Sequence, residues 1–226
     1  AVALEDGTEC TSRALLATAA DAGVRRVVFA ASSSAYGDHA APHDESMEPR
    51  PMSPYAATKV AGERMVRELA ETGGVDAVAL RFFNVYGPRE AHKARMASVA
   101  WHFFKQYRAE GRAKLFEGSG GYQAGEQRRD FVSVEDVVKV NLDFLDHPER
   151  SGIFNVGAGR ATTYNAVAAA TVNACRAAAG GARQSVAELV AAGVISYIPF
   201  PQALAGKYQS HTEADLARLR AAGYAA

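Results

Sequence analysis

Tyr55 and Lys59 stand four residues apart in Tyr55-Ala56-Ala57-Thr58-Lys59. On a helix that spacing sets both side chains on one face, with Cβ atoms about 5–6 Å apart. An ammonium so close favours the phenolate and draws the tyrosine pKa down from about 10 toward neutrality. A phenol tuned in this way can take or give a proton at a carbinol carbon. The bare pattern is weak, because Tyr and Lys are common helix-surface residues and most such pairs are simply solvated. Its context is stronger. Ser32-Ser33-Ser34-Ala35-Tyr36-Gly37 follows directly on an apolar stretch, and a hydroxyl at the carboxyl end of a parallel strand stands where α/β sheets bind ligands. From there a serine can hydrogen-bond the oxygen that the tyrosine deprotonates, while Ser33 and Ser34 read equally well as tight-turn residues. Asn84-Val85-Tyr86-Gly87-Pro88 completes a rare constellation.

The elements that must position these groups alternate. Thr11 to Ala22 carries Leu15, Leu16, Ala19 and Ala22 at helical spacing, with Gly23 as its stop. Arg26 to Ala31 is a short apolar strand of the kind buried on both faces of a parallel sheet. Ser53-Pro54 opens a second helix running to about Ala70, Gly73-Gly74 breaks it, and Val75 to Phe83 is a second strand. Beyond Pro88 the spacing predicts a helix over 96–107, strands at 115–117 and 130–132, and a loop over 118–125. Ser133 with Asp136 makes a capping box for a helix to about Leu145. A strand at 152–156, a helix over 164–179, an extended stretch over 194–200 and a last helix capped by Thr212 and Asp215 follow.

Composition narrows the classes. The 226 residues are 48% hydrophobic and 22% charged, a globular composition. Lys and Arg number 25, as do Asp and Glu, so the formal net charge is zero and argues against nucleic acid or anionic membrane as partners. No apolar run reaches 18 residues and no secretory signal pattern opens the chain. Cys10 and Cys175 lack both a disulfide framework and metal-ligand spacing, and no metal is expected. The reading is a cytoplasmic α/β protein. The chain opens Ala1-Val2-Ala3-Leu4 without an initiator Met, as a piece of something longer would.

Ser32, Tyr55 and Lys59, followed by Arg81-Phe82-Phe83-Asn84-Val85-Tyr86-Gly87-Pro88, resemble the extended short-chain dehydrogenase/reductase family. Its members epimerise, dehydrate or reduce nucleotide sugars with a tightly held nicotinamide cofactor. The strings Arg89-Glu90-Ala91-His92-Lys93, Met96-Ala97-Ser98-Val99-Ala100, Lys114-Leu115-Phe116-Glu117-Gly118, Arg129-Asp130-Phe131-Val132 and Tyr197-Ile198-Pro199-Phe200-Pro201 are similar to the branch that epimerises an ADP-linked heptose at C6, for lipopolysaccharide cores. The resemblance implies a partial Rossmann-type, doubly wound parallel sheet with a smaller α/β substrate-binding domain. Residues 1–88 would form the partial dinucleotide-binding domain with the catalytic helix. Residues 89–226 would mainly bind substrate, with 130–160 returning to the first domain. Tyr55 and Lys93 would be the two acid/bases, serving both faces of a planar ketone, with Ser32 and Lys59 in support. Lys59, Val85 and Lys93 would touch the cofactor, NADP or else NAD. Asn84, Arg95, His102, Phe116, Glu117, Gly118, Ser119, Arg129 and Tyr208 would contact the ADP-sugar. Arg129 suits a diphosphate because guanidinium offers phosphate a two-pronged fork. His102 reads equally as a structural histidine.

The sequence also departs from that family. It holds no glycine-rich turn of the spacing that meets a dinucleotide pyrophosphate, and Gly118 to Gly125 (GSGGYQAG) does not supply one. Four strands of the family pattern and its closing helix are not represented. An apolar sheet edge so uncovered predicts marginal stability, self-association as a homo-oligomer, or reliance on a partner chain. Up to Arg81 the texture is that of general nucleotide-sugar epimerases, and past Asn84 that of the heptose branch. Two alternatives stay open: a non-catalytic sugar-nucleotide-binding remnant, and an enzyme of the UDP- or dTDP-hexose 4-epimerase or dehydratase type.

Overall fold

The computed structural model describes residues 6–72, 75–204, 206 and 208–224. Gly73-Gly74, the expected helix break, lies outside the described residues. The chain divides into two compact units, one of Ala1–Phe83, Glu135–Gly159 and Thr212–Ala226, the other of Asn84–Val134 and Arg160–His211. The architecture is mixed α/β with parallel sheets. The first unit takes in 212–226, a return that the sequence pattern did not indicate.

In the first unit, helix α1 (Asp6–Asp21) leads through Gly23, at φ +71°, to strand β1 (Arg26–Ser32). Helix α2 (Pro54–Thr72) then leads to β2 (Asp76–Phe82). Ser53 starts α2 by accepting the Ala56 amide on its Oγ at 3.1 Å, and Pro54 has no N–H to waste in the first turn. Among the described residues β1, β2 and a later strand β6 (Gly152–Val156) form one parallel sheet, in that order. Leu16, Ala31, Met65, Val66, Ala77, Ala79 and Ile153 are buried together against it. Gly62 lets α2 approach β1, since a methyl there would overlap the Phe29 ring. Leu15, expected on the packed face of α1, is instead 67% exposed, whereas Leu16 is buried. Of the buried set, Leu16, Met65, Val66 and Ile153 each stabilise the unit by about 1.5–3 kcal/mol.

The second unit begins with β3 (Asn84–Tyr86) and continues through α3 (Val99–Glu110), β4 (Ala113–Phe116) and β5 (Arg128–Ser133). Helix α4 (Val134–Asp146) belongs from Glu135 onward to the first unit, where it precedes β6. There the Arg26 guanidinium donates to the carbonyls of Phe144, Pro148 and Arg150 and closes the end of α4. Back in the second unit come β7 (Ala161–Thr163), α5 (Tyr164–Ala178), α6 (Val186–Ala191) and β8 (Ile195–Ile198). Strand β5 pairs in parallel with β3 and antiparallel with β7, and β4 pairs in parallel with β8. Phe103, Leu115, Val172, Leu189 and Ile195 fill the space between α3, α5 and the β4–β8 pair.

Several elements differ from the expected ones. The helix expected from Met96 starts at Val99, because Met96 lies in a 3-10 turn and Ser98 caps the helix by accepting the Trp101 amide. Short α6, with a full capping box between Ser185 and Glu188, carried too little periodicity to be noticed. The last helix, α7 (Ala217–Ala221), is not capped by Thr212, which is buried five residues upstream of it. Asp215 does serve its start, accepting the Ala217 amide at 2.7 Å.

Candidate active site

Three of the expected groups gather at the carboxyl end of β1 and the first turns of α2. Tyr55 is 57% exposed in the first turn of α2. Lys59 lies one turn on, its Nζ 5.7 Å from the centre of the Tyr55 ring and 5.5 Å from that of Phe29. The ammonium donates to the Ala30 carbonyl at 2.8 Å, and burial holds its pKa below the ordinary lysine range. An ammonium has three donors, so two remain for other acceptors. Ser32, the last residue of β1, caps a 3-10 turn over Ser33–Tyr36. Its oxygen accepts from the Ser34 amide at 3.2 Å and the Ser34 hydroxyl at 2.9 Å. Both bonds use Ser32 as acceptor, leaving its own proton to donate.

Beneath this turn is a buried network that the motif reading did not single out. Tyr36 is fully buried and donates its hydroxyl to Asn155 Oδ1 at 2.6 Å. Burial pushes the phenol up to about 12. The Arg81 guanidinium lies 4.7 Å from the Tyr36 ring centre and donates twice to the Glu63 carboxylate of α2. Asn155 Nδ2 donates to the carbonyls of His43 and Asp215, and its amide donates to Glu45. The strings Ser32–Gly37 and Arg81–Pro88 contained Tyr36 and Arg81, but burial of both is a tertiary fact that no local pattern announces.

The second unit holds the other expected residues. A cavity of about 290 Å³ is lined by His102, Phe116 and Tyr208, together with Gln106, Gln127 and Tyr164. Arg129 is buried with its guanidinium 4.6 Å from the Tyr208 ring centre and 5.9 Å from that of Tyr164. Such placement over ring faces stabilises a cation and fixes its plane. Burial pushes the Tyr208 phenol above its ordinary range, the Tyr164 hydroxyl adding to the shift and Arg129 opposing it. Asn84 Nδ2 donates to the Asp130 carbonyl at 3.2 Å, beside Arg129. Gln127, buried and not anticipated, donates from Nε2 to the Glu117 carbonyl at 2.9 Å and to Ser119 Oγ at 3.1 Å. It therefore sets the course of the 117–119 segment. Gly118 is required there, because a side chain would meet the Tyr122 carbonyl. Lys93 and Arg95 are exposed on the 3-10 turn Ala91–Met96, and the Arg95 carbonyl lies 3.2 Å from His102 Nε2. Val85 sits mid-strand in β3, paired with Val132. Among the described residues no three His, Cys, Asp or Glu side chains stand together as a metal site, and no helix is long and apolar enough to cross a membrane.

Comparison with known proteins decides the family. Residues 9–157 match the model of the NAD dependent epimerase/dehydratase family. The chain belongs to that family. Within it, the chain is 56% identical over 213 residues to an ADP-L-glycero-D-manno-heptose-6-epimerase of Thiobacillus denitrificans, covering 94% of this chain and 64% of that relative. Among solved members, a UDP-N-acetylglucosamine 4-epimerase of Methanobrevibacter ruminantium superimposes with TM-score 0.77 at 25% identity, over 96% of this chain and 62% of that one. A UDP-glucose 4-epimerase of Thermus thermophilus in complex with NAD gives 0.73 at 27%, over 95% and 63%. The ADP-L-glycero-D-manno-heptose-6-epimerase of Helicobacter pylori gives 0.69 at 29%, over 90% and 55%. The Rossmann-like α/β fold expected from the sequence is therefore that of this epimerase/dehydratase chain. It spans under two thirds of the length of these relatives.

Proposed function

We propose that the chain carries the acid/base and sugar-nucleotide-binding parts of an epimerase that inverts C6 of an ADP-linked heptose by oxidation and re-reduction. The observation that carries the reading is the 56% identity across 94% of the chain. Tyr55 removes and returns the proton of the 6-hydroxyl for one epimer, and Lys93 does so for the other. Ser32 donates its remaining proton to the reacting oxygen. Arg129, Asn84 and the 116–119 segment take the diphosphate and its neighbours, with Arg95, His102 and Tyr208 on the sugar nucleotide.

The residues at hand fit the nicotinamide-ribose end of a dinucleotide: a strand-end hydroxyl, a phenol, and a half-buried ammonium with two donors to spare. When bound, the nicotinamide supplies a reversible hydride acceptor, and we assign NADP, with NAD as the alternative. Lys59 holds its ribose, while Val85 and Lys93 touch it. This reading places the protein in the cytoplasm.

The test is to supply the protein with both dinucleotides and an ADP-heptose of one C6 configuration and to follow the other epimer by NMR. Formation of the second epimer supports the reading. Sugar-nucleotide binding with no epimer formed, in a preparation that binds dinucleotide, contradicts it. The higher TM-scores of the two hexose 4-epimerases favour a second reading, a UDP-hexose enzyme. Lys93→Ala separates the two, since it slows heptose epimerisation by about 10²-fold or more and leaves a one-base hexose epimerase largely working.

A further inference from the structure

The loop from β3 to α3 carries Lys93 and Arg95, and it is closed by one side chain. Glu90 is 5% exposed and its carboxylate accepts three hydrogen bonds: from the Gly87 amide at 3.0 Å, the Ser98 amide at 2.6 Å and the Ser98 hydroxyl at 2.8 Å. Gly87 and Ser98 are the two ends of the loop, Gly87 following β3 directly and Ser98 capping α3. The Glu90 carbonyl meanwhile accepts the Lys93 amide at 3.0 Å. Two non-glycine residues in between have positive φ, Arg89 at +67° and Ala94 at +49°. Backbone of that kind persists only where its surroundings over-determine it, and the Glu90 carboxylate is the group that ties the ends. Burial would raise the Glu90 carboxyl, but the bonds from Ser98 and Gly87 and the nearby charge of Lys93 outweigh it and hold it below the ordinary range. It is therefore ionised at neutral pH. Only a carboxylate accepts all three bonds with two oxygens, because an amide would turn its NH₂ toward a donor.

We propose that Glu90 is a positioning residue for Lys93, its carboxylate fixing the loop from which the lysine reaches the sugar. The proposal rests on the reading of Lys93 as an acid/base. Its test is a double-mutant cycle on the intact protein with Glu90→Gln and Lys93→Ala. Acting through the lysine, Glu90→Gln lowers kcat about tenfold or more with KM changed less than about twofold, and in the Lys93→Ala background costs less than about twofold further. Equal losses in both backgrounds, or a kcat that does not move, overturn the proposal. If the unmodified protein does not epimerise ADP-heptose, the functional reading has failed, and loop closure is judged by amide exchange instead. Exchange at Gly87 and Ser98 about tenfold faster in Glu90→Gln, with the later amides of α3 unchanged, then supports the closing role, and unchanged exchange overturns it. Should Glu90→Gln not fold, Ser98→Ala takes its place in the same cycle, with a smaller kcat loss that again disappears without Lys93.

Discussion

The Glu63 carboxylate takes two hydrogen bonds from the Arg81 guanidinium, at 2.8 and 2.7 Å, and both side chains are 3% exposed or less. This pair fastens α2, which carries Tyr55 and Lys59, to β2 of the sheet from which Ser32 emerges. Its removal in halves is costly, because the surviving charge stays buried. Arg81→Met or Glu63→Leu alone is expected to cost about 3–5 kcal/mol in chemical denaturation, while the double replacement recovers most of that. A single replacement costing under about 1 kcal/mol would show that the pair does not hold the helix.

Gly62 is where α2 comes closest to β1. Gly62→Ala gains helix propensity worth about 1 kcal/mol, but its methyl overlaps the Phe29 ring. Overpacking of this kind costs about 1–3 kcal/mol, so a net loss of stability is expected. Phe29→Leu in the same chain should restore part of it. A stabilised Gly62→Ala would mean that α2 can lift away from the sheet without cost.

Glu45 gives a pH signature with a definite sign. Burial raises its carboxyl above the ordinary range, against the hydrogen bond from the Asn155 amide and the charges of Arg218 and Arg81. The folded protein therefore binds the proton more tightly than the unfolded chain. Stability must fall as pH rises through the window that begins at the ordinary carboxylate pKa and ends at the raised one. Glu45→Gln keeps an oxygen for the Asn155 amide and removes the charge. Its unfolding free energy should be flatter over that window than the parent's, and not lower at neutral pH. Identical slopes would remove Glu45 from the account.

Arg129, held against Tyr208 and Tyr164, tests the sugar-nucleotide assignment. Arg129→Lys keeps the charge but loses the planar fork. Affinity for the ADP-sugar by calorimetry should drop about tenfold or more, as expected for one charge-assisted pair. Dinucleotide affinity should be unaltered. Unchanged ADP-sugar binding would move the diphosphate elsewhere.

Local patterns carried much of this structure. The helix containing Tyr55 was legible from Ser53-Pro54 and its apolar spacing, and β1, β2 and β6 from short apolar runs. Three-residue strands such as β3 and β7 were not, because their pairing with β5 is long-range and no alternation can develop over so few residues. The exposure of Leu15 likewise depends on what packs against α1 rather than on spacing within it. At the site, reactive residue types announced themselves, whereas the side chains that hold them did not. Glu63, Arg81, Asn155, Gln127 and Glu90 are polar residues that sequence alone would place in solvent, and burial with matched partners is what gives them a role.

In the proposed reaction Tyr55 and Lys93 each exchange the 6-hydroxyl proton of one epimer while a hydride leaves and returns at C6. Its most direct measurement is NMR of an ADP-heptose deuterated at C6, in unlabelled water, with the protein and its dinucleotide. The second epimer should form with deuterium retained on C6, and both Tyr55→Phe and Lys93→Met should slow it by about 10²-fold or more without loss of thermal stability. Loss of the deuterium to solvent, or full activity in either variant, would contradict it.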